Sequence, residues 1–176
     1  MRFALIDRIL EIHRGEKIVA TKSLSLAEEY LADHFPRFPV LPGVFMVEAM
    51  TQAASWLIRV EDDFAHSIIV LKEAKNIKYA GFVFPGDTLQ VEVLVVRHDE
   101  RETEVKASGR VDDKLCVSGR MVFERYNLAD EHPTEWPRDE FARDDARKWF
   151  MLLGGPAAVA AGGVTEAVGS ETDRVR

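Results

Sequence analysis

The sequence predicts an α+β fold in which one buried helix lies against an antiparallel sheet. Residues 44–58 are apolar on every side, which is typical of a helix enclosed by the rest of a protein. After residue 67, segments rich in β-branched residues follow one another between turn residues, which is typical of strands. Because no helical pattern separates these strands, antiparallel pairing is favoured.

The composition indicates a globular protein. The chain has 176 residues, 47% hydrophobic and 30% charged, which is enough for one domain with a core and an extension. A net charge of -7 disfavours a general nucleic-acid-binding role. We expect no membrane span because no run of about 18 apolar residues occurs, and the first residues lack the apolar centre of a signal peptide. Since Cys116 is the single cysteine, no intrachain disulfide can form, and a cytoplasmic location is expected.

The first elements are expected to be short. Residues 3–10 are mainly apolar, and residues 11–15 have the composition of a turn. Lys17 to Leu26 contains β-branched residues and partial alternation, which predicts a strand. Ser25 is followed three residues later by Glu28, a spacing that suits a capping box and predicts a short helix through about Ala32.

A proline-rich loop leads into the central helix. Prolines at positions 36, 39 and 42 keep residues 35–41 extended or turned, so the helix is expected to begin at about Val44. Its polar residues share one face, being spaced by three, four and seven positions: Glu48, Thr51, Gln52 and Ser55. A carboxylate in such a helix is costly to bury without a partner or a task. This face is either a functional site or a polar seam at a helix–sheet or dimer contact.

The second half contains the predicted sheet and then a tail. Strands are expected at residues 68–71, 76–79, 88–97, 102–111 and 115–125. The composition changes after Tyr126, so we divide the chain into a domain at 1–128 and an extension at 129–176. Within the extension, Asp139 to Leu153 predicts a helix, and the sequence from Gly154 onward is either flexible or helical against a partner chain.

One motif resembles a known signature. It reads His34-Phe35-Pro36, Pro39-Val40, Pro42-Gly43-Val44, Glu48-Ala49-Met50 and Gln52, with the spacing seen in (3R)-hydroxyacyl-[acyl-carrier-protein] dehydratases of the FabZ type. Residues 5–10, 15–20 and 84–89 are also similar to that family, so the resemblance covers roughly residues 3 to 126. Members often carry Gly-His between the first two prolines, where this chain has Arg37-Phe38.

The resemblance implies a hot-dog fold and a reaction. The fold wraps an antiparallel sheet around one long helix. The reaction removes water from a (3R)-3-hydroxyacyl thioester, carried by acyl carrier protein or coenzyme A, in fatty-acid or related lipid biosynthesis, and gives a trans-2-enoyl thioester. It needs no cofactor and no metal. Members form homodimers or higher homo-oligomers with active sites between subunits, so His34 is expected to face Glu48 of the neighbouring chain.

Site roles follow from this chemistry. Neutral His34 suits removal of the proton next to the carbonyl, and Glu48 suits departure of the 3-hydroxyl as water. The helix start at Gly43 and Val44 offers N–H donors to the negative charge that develops on the thioester oxygen. Gln52, one turn beyond Glu48, is a candidate to orient the carboxyl group, and structural support is its alternative role. His34 has an alternative role in tying down the proline loop.

Two other functions remain open at this point. A hot-dog acyl-thioester hydrolase would use the same helix start and carboxylate to direct water at the carbonyl. A non-catalytic acyl-binding protein would need neither His34 nor Glu48. The remaining histidines lie in polar turns and are expected at the solvated surface: His13, His66, His98 and His132. Cys116, in a predicted strand, is expected to be a small packing residue rather than a nucleophile.

Overall fold

The structure, a computed structural model, describes residues 3–34 and 37–164. One antiparallel sheet contains six strands: β1 (Arg8–His13), β2 (Lys17–Ser23), β3 (Ile68–Tyr79), β4 (Thr88–His98), β5 (Glu102–Val111) and β6 (Lys114–Tyr126). Their spatial order is β1-β2-β4-β5-β6-β3. The α-helices are α1 (Gly43–Glu61), α2 (Trp136–Leu152) and α3 (Gly155–Val164). The predicted α+β class is confirmed.

Helix α1 lies against the sheet and forms the centre of the core. Met50, Ala53 and Leu57 on this helix are completely buried, as are Val91 and Val93 on β4. Burying each large aliphatic side chain contributes about 1.5–3 kcal/mol relative to leaving it exposed. The alternation on β4, with Leu89 inside and Gln90 outside, gives the sheet one covered face, as the sequence predicts.

Two strand boundaries differ from the prediction. Strand β1 continues to His13, so the predicted turn at residues 11–15 is shorter than expected. The segments at 68–71 and 76–79 are one continuous strand, β3, with register shifts between Leu71 and Glu73 and between Lys75 and Lys78. Asn76 adopts a φ of 52° within this stretch. These irregularities bend the strand, so the charged residues that separated the two predicted strands lie within one continuous strand.

The predicted capping box does not form. Residues Glu29–Leu31 make a single 3-10 turn, and no side chain caps it. Instead, the Glu28 carboxylate accepts a hydrogen bond from Lys22 Nζ at 2.7 Å, and the hydroxyl oxygen of Ser25 accepts one from the N–H of Ala27 at 3.1 Å. Because Lys22 is nearly buried, its charge requires a counter-ion, and the Glu28 carboxylate provides it.

Two histidines expected at the solvated surface belong to a polar network at the end of α1. Asp62 lies 3.0 Å from His66 Nδ1 and 3.4 Å from His98 Nε2. The guanidinium of Arg125 contacts the same carboxylate at 2.9 Å and is itself nearly buried. His98 is exposed, as expected, and His66 is partly exposed; the sequence did not indicate that both contact Asp62, which lies one helical turn before His66 and far from His98. His132 is exposed, as expected.

The C-terminal helices pack on their own chain. Phe150, Leu153 and Ala158 are buried in the core. The N–H of Ile9 donates to the carbonyl oxygen of Leu153 at 2.9 Å, and α3 lies along β1. The expectation of a flexible segment, or of a helix that packs only on a partner, is therefore wrong as far as residue 164; residues 165–176 lie outside the described part. The division at residue 128 stays a prediction.

Buried Asp139 anchors α2. Its carboxylate accepts hydrogen bonds from the Ser67 hydroxyl and from the N–H groups of Leu128 and Ala129, the latter two at 2.9 Å. Burial alone would raise the pKa of Asp139, but these hydrogen bonds and the charge of Arg143 hold its pKa below the ordinary value.

We expect Asp139→Ala to lower the free energy of unfolding by about 3 kcal/mol, because three donors lose a charged acceptor. Urea unfolding followed by circular dichroism measures this, with the exposed Glu140→Ala as the control. Since the folded pKa of Asp139 is lowered, its contribution is present above the unfolded pKa of about 4 and is lost as the pH falls through the folded value. Equal stability of the two variants at pH 7 would contradict this role.

Candidate active site

The loop that precedes α1 carries the predicted histidine. His34 is half-buried, and its N–H donates to the carbonyl oxygen of Tyr30 at 3.1 Å. The motif residues Phe35 and Pro36 lie outside the described residues. Further along, the N–H of Leu41 donates to the carbonyl oxygen of Val83 at 2.9 Å, which fixes the end of the loop to the sheet.

Exposed aromatic rings lie beside this loop. Phe38 contacts Phe82 and Phe84 edge to face, with centroid distances of 5.5 and 5.6 Å. All three side chains are among the exposed large hydrophobic residues. Phe38, at the position where members often carry histidine, therefore places an apolar ring in this exposed patch.

The start of α1 has no side-chain cap. Pro42 is the N-cap residue and provides no side-chain cap, and its carbonyl oxygen accepts from the N–H groups of Phe45 and Met46. The first N–H groups of a helix have no partner within the helix, and here they belong to Gly43 and Val44. A Cβ at Gly43 would lie 2.9 Å from the Tyr79 ring, so close packing against β3 also favours glycine there.

Glu48 is held by Gln52 on the outer face of α1. The Gln52 amide nitrogen donates to Glu48 Oε1 at 2.9 Å and to the carbonyl oxygen of Phe3 at 3.0 Å. The Gln52 amide oxygen accepts from the N–H of Leu5 at 2.8 Å. Three contacts fix the amide, so Gln52 positions Glu48 and also ties the N-terminal segment to the helix.

This carboxylate faces a pocket of about 610 Å³. Its lining comes from four parts of the chain: Phe3, Ala4 and Ile6 near the N-terminus; Glu48, Thr51, Gln52, Ser55, Trp56 and Arg59 on α1; Ser67 and Ile69 at the start of β3; and Phe141, Ala142, Asp145, Ala146, Trp149 and Leu153 around α2. Burial lowers the pKa of Arg59, because the charged guanidinium loses hydration.

The structure brings together some of the predicted site residues and not others. Glu48 and Gln52 are hydrogen-bonded and both line the pocket. Of the described residues, His34, Gly43 and Val44 are absent from its lining. One chain therefore presents the carboxylate of the candidate site in a pocket that its own histidine does not line.

Sequence reasoning missed the wall that α2 contributes. The spacing of Phe141, Trp149 and Leu153 predicts an apolar stripe on that helix, but nothing in the pattern says where the helix docks. The contact between Ser67 and Asp139 joins residues 72 positions apart. Such a long-range contact leaves no local signal.

The two edges of the sheet differ. Strand β1 is covered by α3, whereas within the described ranges β3 pairs only with β6. Val70, Leu71 and Tyr79 on β3 are exposed hydrophobic residues. A long edge strand with apolar side chains is a template for pairing with another strand.

Cys116 is buried on β6, and burial raises the pKa of its thiol above the ordinary value. This environment fits a packing residue, as the sequence predicts. Among residues 3–34 and 37–164, no group of three or more histidine, cysteine or acidic residues is placed to hold a metal ion. No helix in the same ranges has the length and apolar character needed to cross a bilayer.

Comparison with known proteins identifies relatives over the sheet and α1. A family described as the FabA-like domain matches residues 1–125. A 3-hydroxyacyl-[acyl-carrier-protein] dehydratase FabZ of Ruminiclostridium cellulolyticum is 37% identical over 123 residues, which cover 69% of this chain and 85% of that protein. A protein of the same name from Aromatoleum aromaticum is 35% identical over 124 residues, which cover 68% and 85%.

Solved structures confirm the hot-dog fold. A dehydratase heterocomplex, ApeI:P, from Xenorhabdus doucetiae superposes with a TM-score of 0.61 at 18% identity, covering 72% of this chain and 85% of that one. The TT0310 protein of Thermus thermophilus gives 0.55 at 16% identity, covering 72% and 100%. The family match ends at residue 125, so α2 and α3 lie beyond it.

Proposed function

Because this chain belongs to the FabA-like domain family and is a 3-hydroxyacyl-[acyl-carrier-protein] dehydratase of fatty-acid biosynthesis, we propose that His34 and Glu48 carry out the elimination of water. The observation that supports this most directly is the Glu48 carboxyl group, which Gln52 holds at the wall of a pocket. A positioned carboxyl group within reach of the 3-hydroxyl is what departure of water requires.

In the proposed elimination, His34 acts as the base and Glu48 acts as the acid. Neutral His34 takes the proton from the carbon next to the thioester carbonyl, and that C–H electron pair becomes the new double bond. The C–O bond at the third carbon breaks, and protonated Glu48 gives its proton to the leaving hydroxyl. The products are water and a trans-2-enoyl thioester. Transfer of the proton from the imidazolium to the carboxylate restores both groups, so no cofactor is consumed.

The start of α1 supports the charge that develops in this step. As the α-proton leaves, negative charge moves onto the thioester oxygen. The N–H groups of Gly43 and Val44, together with the helix dipole, favour an anion at this point. Because these groups belong to a rigid helix, they are oriented before the substrate arrives.

We further propose that the active unit is a homodimer. His34 does not line the pocket that Glu48 faces in its own chain, and among the described residues β3 pairs with a strand on one side only and exposes Val70, Leu71 and Tyr79. Pairing of the two β3 strands would let His34 of one chain approach Glu48 of the other. The site then forms twice per dimer, as an isologous contact requires. A cytoplasmic location is part of the proposal, since the single cysteine is a free thiol.

The test incubates the protein with a 3-hydroxyacyl thioester of acyl carrier protein. Enoyl thioester is followed by its absorbance, and free thiol is followed separately. We expect enoyl product without thiol release. Thiol without enoyl product would support the hydrolase, and neither product would support simple acyl binding. A parallel reaction with the coenzyme A thioester measures how much the carrier contributes.

A further inference from the structure

The pocket beside Glu48 follows α1 over three turns. Its lining residues on that helix, from Glu48 to Arg59, are spaced by three and four positions, so they form one continuous stripe. The distance along the helix from Glu48 to Trp56 is about 12 Å, at about 1.5 Å per residue. The pocket therefore runs along α1 from the proposed catalytic acid, and this partly open stretch is termed the channel.

The hydroxyl groups in this stripe are satisfied by the helix itself. Thr51 Oγ1 donates to the carbonyl oxygen of Val47 at 3.0 Å, and Ser55 Oγ donates to that of Thr51 at 2.9 Å. Back-bonding of this kind turns the hydroxyls toward the backbone. The stripe therefore presents mainly carbon to the pocket between Glu48 and Trp56, which suits an alkyl chain.

Helix α2 provides the opposite wall. Ala142 and Ala146 lie on the same face of α2, and Trp149 follows one turn later. The two alanines leave space beside α1, whereas the indole of Trp149 fills it. The wall thus combines the small Ala142 and Ala146 with the bulky Phe141 and Trp149 and with the carboxylate of Asp145, an arrangement that can limit the length of a bound chain.

Several packing contacts hold this wall in place. The Phe150 ring packs against Trp56 and Phe64, with centroid distances of 6.1 and 5.5 Å. The Arg147 guanidinium lies 5.4 Å from the centroid of the Phe64 ring. With the buried Asp139 at its start, α2 is held at both ends.

We propose that α2 sets the length of acyl chain that this enzyme prefers, a role termed the chain-length gauge, with Ala142 and Trp149 as specificity-determining residues. The inference rests on the proposed dehydratase function. An extended alkyl chain advances about 1.25 Å per carbon, from C–C bonds of about 1.5 Å at near-tetrahedral angles. The 12 Å channel thus holds roughly ten carbons beyond the third carbon, which Glu48 contacts. Acyl groups of about twelve carbons fill it.

The test compares 3-hydroxyacyl-carrier-protein substrates of four, twelve and sixteen carbons in two opposite variants. Ala142→Phe narrows the channel, so kcat/KM for twelve carbons should fall at least about tenfold, while the four-carbon value stays within about twofold. Trp149→Ala enlarges the channel and should raise kcat/KM for sixteen carbons relative to twelve, about threefold. The exposed Glu140→Leu, on the outer side of α2, is the matched control, and thermal unfolding verifies that each variant is folded.

A second readout separates this inference from the proposed function. Saturated acyl-pantetheines of four and twelve carbons cannot react, and their binding is followed by tryptophan fluorescence, since Trp56 and Trp149 line the pocket. One outcome is that the wild-type protein makes no enoyl product but binds the twelve-carbon ligand more tightly than the four-carbon ligand, and that Ala142→Phe removes this difference. This outcome would contradict the dehydratase function and support the role of α2 in chain-length selection. If folded Ala142→Phe treats both lengths like the wild type, or weakens both equally, the gauge is overturned while dehydration stands.

Discussion

Replacing His34 with alanine, or Glu48 with glutamine, is expected to lower kcat at least about a hundredfold, the usual scale for a general acid or base. His34→Ala removes the group that takes the α-proton. Glu48→Gln keeps the shape and the neighbouring Gln52, but an amide cannot give the leaving hydroxyl a proton. Initial rates of enoyl formation from 3-hydroxyacyl-carrier protein at saturating substrate measure the effect.

Matched controls for these two variants lie side by side beyond the family match. Glu131→Gln and His132→Ala make the same chemical changes at exposed positions and should leave kcat within about twofold, since such surface substitutions perturb little. Because His34 is in a loop and Glu48 is only half-buried, both variants should unfold at temperatures close to the wild type. A folded His34→Ala or Glu48→Gln protein with a wild-type rate would remove that residue from the mechanism.

Mixing the two inactive proteins should restore activity. If each site takes His34 from one chain and Glu48 from the other, a mixed dimer has one site with both residues intact and one site with neither. Random exchange makes half of the dimers mixed, so the mixture should regain about a quarter of wild-type activity, starting from about one hundredth or less. Co-expression with two different affinity tags isolates the mixed dimer directly.

The double variant, His34→Ala with Glu48→Gln in one chain, is the control for this mixing experiment. Paired with wild-type chains, it leaves every site in a mixed dimer one residue short, so mixed dimers should be inactive. Sites formed within single chains predict the opposite pattern: no recovery in the first mixture and one active site per mixed dimer in the second. The two mixtures together therefore decide whether the site is shared.

Local patterns were sufficient for most of the fold. The apolar helix at residues 44–58 is α1, one turn longer than predicted, and the alternation after residue 88 gives β4, β5 and β6. The spacing of Glu48 and Gln52 by four positions places them in hydrogen-bond contact. Such features depend on neighbours in the sequence, which is why they are readable from it.

Features that depend on distant residues could not be predicted. The docking of α2 requires Asp139 to meet Ser67, and the contact between His98 and Asp62 also joins residues that are far apart in the sequence. The position of His34 relative to Glu48 is another feature that local patterns do not reveal. If the site is shared, its geometry is a property of two chains, and the sequence of one chain indicates it only through the resemblance of the motif.

The cover that α3 provides over β1 has a consequence for assembly. A sheet with both edges open can add chains at either side and grow without limit, as fibrils do. In this molecule one edge is capped by the same chain, and Gly162 lies so close to it that a Cβ would meet the backbone oxygen of Ile12. Once two β3 edges have joined, both outer edges of the combined sheet are capped. In the proposed dimer the extension would therefore block further strand pairing, and growth through the sheet would stop at two chains.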